Sequence, residues 1–366
     1  MDPVRIGVVG VGGRGIGLLK TALAIPEIQV TAVADVAAER AAAAGQQAGV
    51  PGYTSHVKLM ESGNVEAVLI GTPHPFHARI AVDAAARGLH VLSEKPLAVE
   101  VAEGDRMVQA AREAGVLLGI MFQRRLEPLH QKAHEIIASG VLGEIHEVEM
   151  ISTGWYRLQS YYDSGAWRGT WKGEGGGILA NQAPHDIDLL LWLGGPVAAL
   201  MATLGTRVHQ IEVEDTVHTV LEYGGHRAGY YKGTTSDPLG RRAVEICGEN
   251  GRIAIREGKL LQCRYTTPIS EHILHAPERS RFESTWEEIP VEKGGNTTAE
   301  VISNFAHAVR EGAPLVATGE DGLRVLELTN AMHLSGLTHQ RVELPLDRAQ
   351  VGQMFEDLRA GRLGLA

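Results

Sequence analysis

Cysteine is scarce: Cys247 and Cys263 are the only two in 366 residues. Two cysteines make neither a metal-binding set nor a disulfide framework, as expected of a protein from a reducing compartment. Basic runs are missing as well. Acidic side chains outnumber basic ones 44 to 34, for a formal net charge of −10, which argues against nucleic acid and anionic membrane surfaces as partners. No apolar run approaches bilayer-spanning length, and Met1-Asp2-Pro3 leads into a strand without the basic-then-apolar layout of a signal peptide. The expectation is a soluble, cytoplasmic protein without internal repeats. What remains, 44% apolar and 21% charged residues, is a globular composition, and the length implies two domains.

The first half alternates buried strands with helices. Val4–Val9 is nearly continuous in apolar residues, as a central parallel strand covered on both faces must be. It runs into Gly10-Val11-Gly12-Gly13-Arg14-Gly15, and a helical pattern follows. This is G-x-G-x-x-G in the strand-to-helix setting that gives the motif meaning: one glycine for the turn, one for approach of a pyrophosphate, one for helix–strand packing. A helix amino terminus there offers N–H groups and partial positive charge to phosphates. A second strand, 28–34, ends in Asp35, about twenty residues past the last glycine, where a ribose-binding acid belongs. A carboxylate at that point favours NAD over NADP, although Arg14 could meet either a pyrophosphate or a 2′-phosphate. Further strands at 65–70, 89–92 and 116–121 alternate with helices at 37–48, 77–86 and 99–114, Gly88 closing the middle one. The strand at 89–92 delivers Ser93-Glu94-Lys95-Pro96 to the carboxyl edge of the sheet, where ligands bind in such folds. Thr72-Pro73 and Gln123 reach the same edge. His74 and His77 either touch the cofactor through that turn or simply open a helix.

After residues 124–128 the pattern changes. An amphipathic helix stops at Gly140, and strands at 146–150, 197–208, 215–223, 226–235, 242–247, 252–256 and 259–266 are joined by hairpin turns at Gly224-Gly225, Asn250-Gly251 and Glu257-Gly258. Hairpins make antiparallel neighbours, so this half reads as one open sheet with helices, two of them late, near 298–310 and 320–334. Between the strands lies Gly175-Gly176-Gly177, opening a helix that carries Asn181, His185, Asp186 and Asp188 and ends at Gly194-Gly195. Three glycines allow close backbone approach to something bulky. Asn181 and His185 are four apart, on one helical face, with Pro184 in a first turn. Histidine, by its unperturbed pKa, suits proton transfer near neutrality, which makes His185 the candidate general base. Upstream, Trp155-Tyr156-Arg157, Tyr161-Tyr162-Asp163 and Trp167-Arg168-Gly169-Thr170-Trp171 hold three of the five tryptophans. Aromatic faces with hydrogen-bonding neighbours suit a carbohydrate; an oligomer interface has the same composition. Trp167 and Trp171, nearest the glycines, are assigned to the sugar. His130 and His134 have a metal-like spacing but lack the glutamate of a zinc protease and any third ligand, so they read as solvated helix residues with no metal.

Together, Gly10-x-Gly12-x-x-Gly15, Thr72-Pro73 with His77, Glu94-Lys95-Pro96 and the glycine run leading to His185 and Asp188 resemble the glucose-fructose oxidoreductase/inositol dehydrogenase family (Gfo/Idh/MocA). The resemblance implies an α/β fold: an N-terminal Rossmann doubly wound parallel sheet over residues 1–125, plus a C-terminal α+β domain with an open, mainly antiparallel sheet over 126–366, the last helices packing back on the first domain. It implies a homo-oligomer, dimer or tetramer, and hydride transfer between NAD and a ring hydroxyl of a sugar or cyclitol. Gly10, Val11, Gly12, Gly13, Arg14, Asp35, Thr72, Pro73, His77, Glu94, Lys95 and Gln123 would bind the cofactor. Lys95, Arg124, Tyr156, Trp167, Arg168, Trp171, Asn181 and His185 would meet the substrate, Lys95 on the reacting oxygen and His185 as acid/base. The family motif has aspartate where this chain has Asn181, which can orient a hydroxyl but cannot carry a proton. Two other outcomes fit the same residues: a glycosidase that recycles NAD through transient oxidation and elimination, and a non-catalytic sugar- or dinucleotide-sensing regulator.

Overall fold

The computed structural model describes residues 1–365. It divides into two compact units. The first takes Met1–Leu126, Lys172–Gly175 and Gly295–Glu327; the second takes Glu127–Trp171, Gly176–Gly294 and the chain from Leu328 onward.

The first unit contains, in chain order, β1 (Val4–Val9), α1 (Gly13–Ala22), β2 (Ile28–Ala34), α2 (Ala38–Ala48), β3 (Gly52–Tyr53), α3 (His56–Met60), β4 (Ala67–Ile70), α4 (His77–Ala85), β5 (His90–Ser93), α5 (Val101–Ala114) and β6 (Leu118–Ile120). The six strands form one parallel sheet in the order β3-β2-β1-β4-β5-β6. Strand order reverses between β1 and β4, so the crevice at their carboxyl ends is the switch point of a doubly wound fold. α4 closes as expected: Gly88 adopts φ +69°, its N–H reaches Ala85 O at 2.9 Å, and Leu89 N–H reaches Ala84 O at 3.1 Å.

The second unit begins with α6 (Pro128–Ala138), β7 (Ile145–Ser152), α7 (Gln159–Asp163), α8 (Ile178–Asn181) and α9 (Pro184–Gly194). Then come β8 (Val197–Gly205), β9 (Thr216–Tyr223), β10 (Ala228–Thr234), β11 (Arg242–Gly248), β12 (Gly251–Arg256), β13 (Lys259–Tyr265), α10 (Ile269–His275) and β14 (Ser284–Ile289). α11 (Thr297–Glu311) belongs to the first unit, where Val301, Ile302, Phe305 and Ala306 join the core around Ile6, Val8, Leu69 and Leu92. α12 (Gly319–Thr338), β15 (Val342–Glu343) and α13 (Arg348–Arg359) complete the chain.

Nine strands form the second sheet, in the order β14-β13-β12-β11-β7-β10-β9-β8-β15. β7 and β10 are parallel, the chain between them running through α7, α8, α9 and the strands β8 and β9 and not through a hairpin; every other neighbouring pair is antiparallel. Helices cover one face. A Cβ on Gly194 of α9 would lie 2.9 Å from the Val148 side chain, and Ser335 Oγ of α12 accepts the Ala202 N–H at 2.9 Å. On the open face Met201 and Val220 remain half exposed. Among the described residues no helix is long and apolar enough to cross a membrane.

Candidate functional site

In the first unit the glycine motif divides its labour. Gly10 sits at φ +84°, and a Cβ on Gly15 would lie 1.7 Å from Gly10 O, so these two serve the fold. Nothing lies within 4 Å of a Cβ on Gly13, and the nearest atom to one on Gly12 is Arg40 Nε at 3.8 Å. The backbone is therefore open where α1 presents its first N–H groups, which have no intrahelical partner. Val11 is different: its N–H donates to Asp35 Oδ2 at 3.1 Å, so this amide is spent on the Asp35 carboxylate and is not offered to a phosphate. The other Asp35 oxygen accepts Ala37 N–H at 2.9 Å and Arg40 Nη2 at 2.7 Å. Burial works to raise the Asp35 carboxyl, but these donors outweigh it and hold the pKa below the usual carboxylate range.

Two further polar atoms mark the same edge. Thr72 Oγ1, beyond β4, and Gln123 Oε1, beyond β6, are buried without a hydrogen-bond partner among the described residues. Buried polar atoms are seldom left so. With the open Gly12-Gly13 backbone and the Asp35 carboxylate they fit a dinucleotide laid along the carboxyl ends of β1, β4, β5 and β6.

Lys95 follows β5 at that edge, half-buried, with its N–H 3.2 Å from Glu94 Oε2 and a cis peptide to Pro96. Glu94, expected at the cofactor, is instead buried and turned to Arg14, whose Nε donates to it at 2.6 Å. That ion pair occupies the cation that could have met a 2′-phosphate. His77 also departs from expectation. It is fully buried, with one ring nitrogen 2.8 Å from Pro96 O and the other 2.8 Å from Thr72 O. It therefore clamps the Thr72-Pro73 turn to the Lys95-Pro96 turn and does not touch a cofactor directly. Burial pushes the imidazole pKa down, against two carbonyls that favour the protonated ring. His74 Nδ1 lies 3.0 Å from Glu174 O, tying the 172–175 segment to this unit. Arg124 is half-buried in a 3-10 turn after β6, whereas its neighbour Arg125 is structural, bonded to Val316 O and Asp321 at 3.1 Å each.

In the second unit Asn181 and His185 do not share one continuous helix. Pro184 has no N–H to return to the preceding turn. Ala183 N–H bonds Ile178 O, five residues back, at 2.8 Å, and the chain restarts at Pro184. Asn181 thus ends α8 and the buried His185 begins α9. Glu214, which nothing in the sequence marks, holds the start of α8. Its Oε1 accepts Gly177 and Leu179 N–H at 2.9 and 3.0 Å, and its carbonyl accepts Ile178 N–H at 3.0 Å. His333 Nε2 lies 3.2 Å from the same Oε1, both side chains being buried. Beside His185, Asp186 accepts Ser152 Oγ and Trp155 Nε1 at 2.6 Å each, fastening the aromatic segment to α9. Asp188 is fully buried on the same helix.

The aromatic segment separates into two parts. Trp171 is withdrawn from the substrate residues: it is 3% exposed, its Nε1 bonds Glu212 O at 3.1 Å, and its ring packs against His333 and Phe355. Trp167 and Arg168 instead join a half-buried cluster. The Arg168 guanidinium lies 4.3 Å from the Trp167 ring centre, and its Nη1 donates to Tyr161 Oη at 2.6 Å. Tyr161 was not singled out from sequence, yet its hydroxyl also receives Asn181 Nδ2 at 3.0 Å and Gln182 Nε2 at 3.3 Å. Its only advance signal was membership of the aromatic run. Tyr156 is 45% exposed, with its carbonyl bonded to Arg157. Of the two helix histidines expected to be solvated, His130 is buried beside Glu127, whereas His134 is half-buried and stacks on Trp192 at 4.1 Å.

Known proteins resemble both parts of the chain. Residues 4–122 match the model described as the oxidoreductase family with an NAD-binding Rossmann fold, and residues 130–254 match the GFO/IDH/MocA C-terminal domain. Myo-inositol 2-dehydrogenase of Thermotoga maritima is 25% identical over 89% of this chain and 94% of its own length. Levoglucosan dehydrogenase of Pseudarthrobacter phenanthrenivorans is 25% identical over 94% of this chain and 99% of its own. Among solved structures, the WlbA dehydrogenase of Bordetella pertussis, in complex with NADH and UDP-GlcNAcA, superposes with a TM-score of 0.80 at 29% identity, over 94% of this chain and 100% of that one.

Proposed function

Since the chain belongs to the GFO/IDH/MocA family of NAD-binding oxidoreductases, we propose that it oxidises a ring hydroxyl of a sugar or cyclitol, the class named by its dehydrogenase relatives. The observation that carries this reading is the row of groups beyond adjacent strands: Thr72 Oγ1 and Gln123 Oε1, buried and unpartnered, on either side of Lys95. Gly12, Gly13, Asp35, Thr72 and Gln123 would hold the dinucleotide, and Asp35 selects NAD by accepting ribose hydroxyls and repelling a 2′-phosphate. NAD, when bound, supplies the hydride acceptor. The protein does the rest. Lys95 binds the reacting oxygen, and its ammonium stabilises the charge that develops there. His185 takes the hydroxyl proton as the C–H hydride leaves, so the alcohol becomes a ketone and one proton stays on the imidazole. Asn181 orients the substrate through its amide and carries no proton.

Purified protein with NAD and a panel of sugars and cyclitols should generate NADH absorbance. His185→Ala should lower kcat by about 10²–10⁴-fold, the usual contribution of general acid–base catalysis. Full turnover in that variant would refute the role of His185.

A further inference from the structure

Arginines in this chain are usually matched to carboxylates: Arg14 to Glu94, Arg40 to Asp35, Arg310 to Glu66 and Arg341 to Glu222. With 44 acidic side chains to 34 basic ones, that is the cheap arrangement. Arg157 and Arg168 break it. Among the described residues neither has a carboxylate partner, and both are held against one ring. Their guanidinium carbons lie 4.9 and 4.3 Å from the centre of Tyr161, so the two cations are at most about 9 Å apart. Trp155, 5.9 Å from Arg157, and Trp167, 4.3 Å from Arg168, flank them.

Like charges at that separation repel, and half-burial weakens the screening that would hide it. Their donors are also under-used. Arg157 Nη1 bonds only the Tyr156 carbonyl while its Nε is buried without an acceptor; Arg168 Nη1 bonds only the Tyr161 hydroxyl. Each guanidinium has five N–H groups in a fixed fork suited to a carboxylate or phosphate. Stacking on aromatic faces keeps both forks oriented before anything binds. The Tyr161 hydroxyl links the pair to Asn181 at 3.0 Å, beside the residue proposed to orient the substrate.

We infer that Arg157 and Arg168 form an anion subsite, and that the physiological substrate is an acidic carbohydrate carrying a carboxylate or phosphate. This rests on the proposed oxidation chemistry for its position but not for its binding. The test compares matched probes on wild-type protein with NAD: D-glucuronate against D-glucose, D-galacturonate against D-galactose, and D-glucose 6-phosphate and UDP-glucose as phosphate carriers. Binding is read by tryptophan fluorescence and turnover by NADH. At least one acidic probe should bind or react at least tenfold better than its neutral counterpart, and the advantage should shrink as salt rises. The carboxylate and phosphate arms then identify which oxyanion is preferred. Arg168→Gln and Arg157→Gln should each reduce the acidic-to-neutral ratio about tenfold. The salt dependence of wild type serves if a variant does not fold. Neutral sugars handled as well as every acidic probe would overturn the subsite while leaving the oxidation intact. Salt-sensitive binding of an acidic probe without any NADH would support the subsite and count against the oxidation.

Discussion

Gly10–Gly15 and Gly175–Gly177 both place a glycine cluster ahead of a helix, and both were expected to let something come close to the backbone. In the first run a Cβ on Gly13 would meet nothing within 4 Å, and one on Gly12 only Arg40 Nε, at 3.8 Å. In the second, every position is filled from within. A Cβ on Gly175 would lie 2.5 Å from Val99, one on Gly176 3.0 Å from His333, and one on Gly177 1.8 Å from the Glu214 carbonyl. The bulky neighbour is the protein itself. One run is open to a ligand; the other packs the start of α8 against Glu214 and His333. Glycine spacing alone cannot distinguish them, because a missing side chain admits a phosphate or a buried imidazole equally well.

Alanine substitution separates the two uses. Gly177→Ala and Gly15→Ala each put a methyl within 2 Å of a carbonyl oxygen. Each should destabilise by about 3 kcal/mol or more, since relief requires backbone movement and overpacking commonly costs 1–3. Thermal melts should show large losses in both, or no soluble protein. Gly13→Ala should instead melt no lower than wild type, because alanine is the better helix former by roughly 1 kcal/mol. Its NAD affinity, measured by titration, should nevertheless fall about tenfold or more. A Gly13→Ala protein that binds NAD normally would mean that the open space is not where the pyrophosphate lies.

Asp35 sharpens the contrast, since it fastens the first run through the Val11 N–H and is also the proposed ribose acceptor. Asp35→Ser removes the charge that would repel a 2′-phosphate and releases Arg40, whose guanidinium is more than half exposed. The ratio of kcat/KM for NAD over NADP should drop by about tenfold to a hundredfold. An unchanged ratio would move the source of cofactor preference away from this residue.

The first unit was readable because its signals are local and spaced. The Gly10–Gly15 motif, Asp35 and the alternation of apolar strands with helices yield a doubly wound sheet; the five strands expected lie within about two residues of their places, and the two-residue β3 is unforeseen. The hairpins of the second sheet were readable from their turn residues. β14 was not: Ser284–Ile289 is almost wholly exposed at an edge and shows no apolar alternation. The i,i+4 pairing of Asn181 with His185 failed because Pro184 breaks the ladder, so α8 ends at Asn181 and α9 begins at Pro184. His77 and Trp171 were assigned to ligands on residue type, and burial reassigns both. Tyr161 and Glu214 were missed because nothing near either of them in sequence announces which chain atoms they will meet.

The smallest effect expected is an acid-side weakening of the first run. Asp35 has a folded pKa below its ordinary value of 3.8, through Arg40 and the Ala37 and Val11 amides, despite opposing burial. In the window between the two values the unfolded chain binds the proton and the folded chain does not, so stability there rises with pH. The contribution is complete above about pH 4 and is lost as pH falls through the depressed folded value. Asp35→Asn removes the titration. Its melting temperature should lie a few degrees below wild type at neutral pH, and the gap should close on acidification. Glu66, held at about 2 chiefly by Arg310, titrates in the same range, so the comparison must be the difference between the two proteins and not the acid limb of either. A gap that stays constant down to pH 3 would show that the carboxylate fastens the Gly10–Gly15 turn by shape alone.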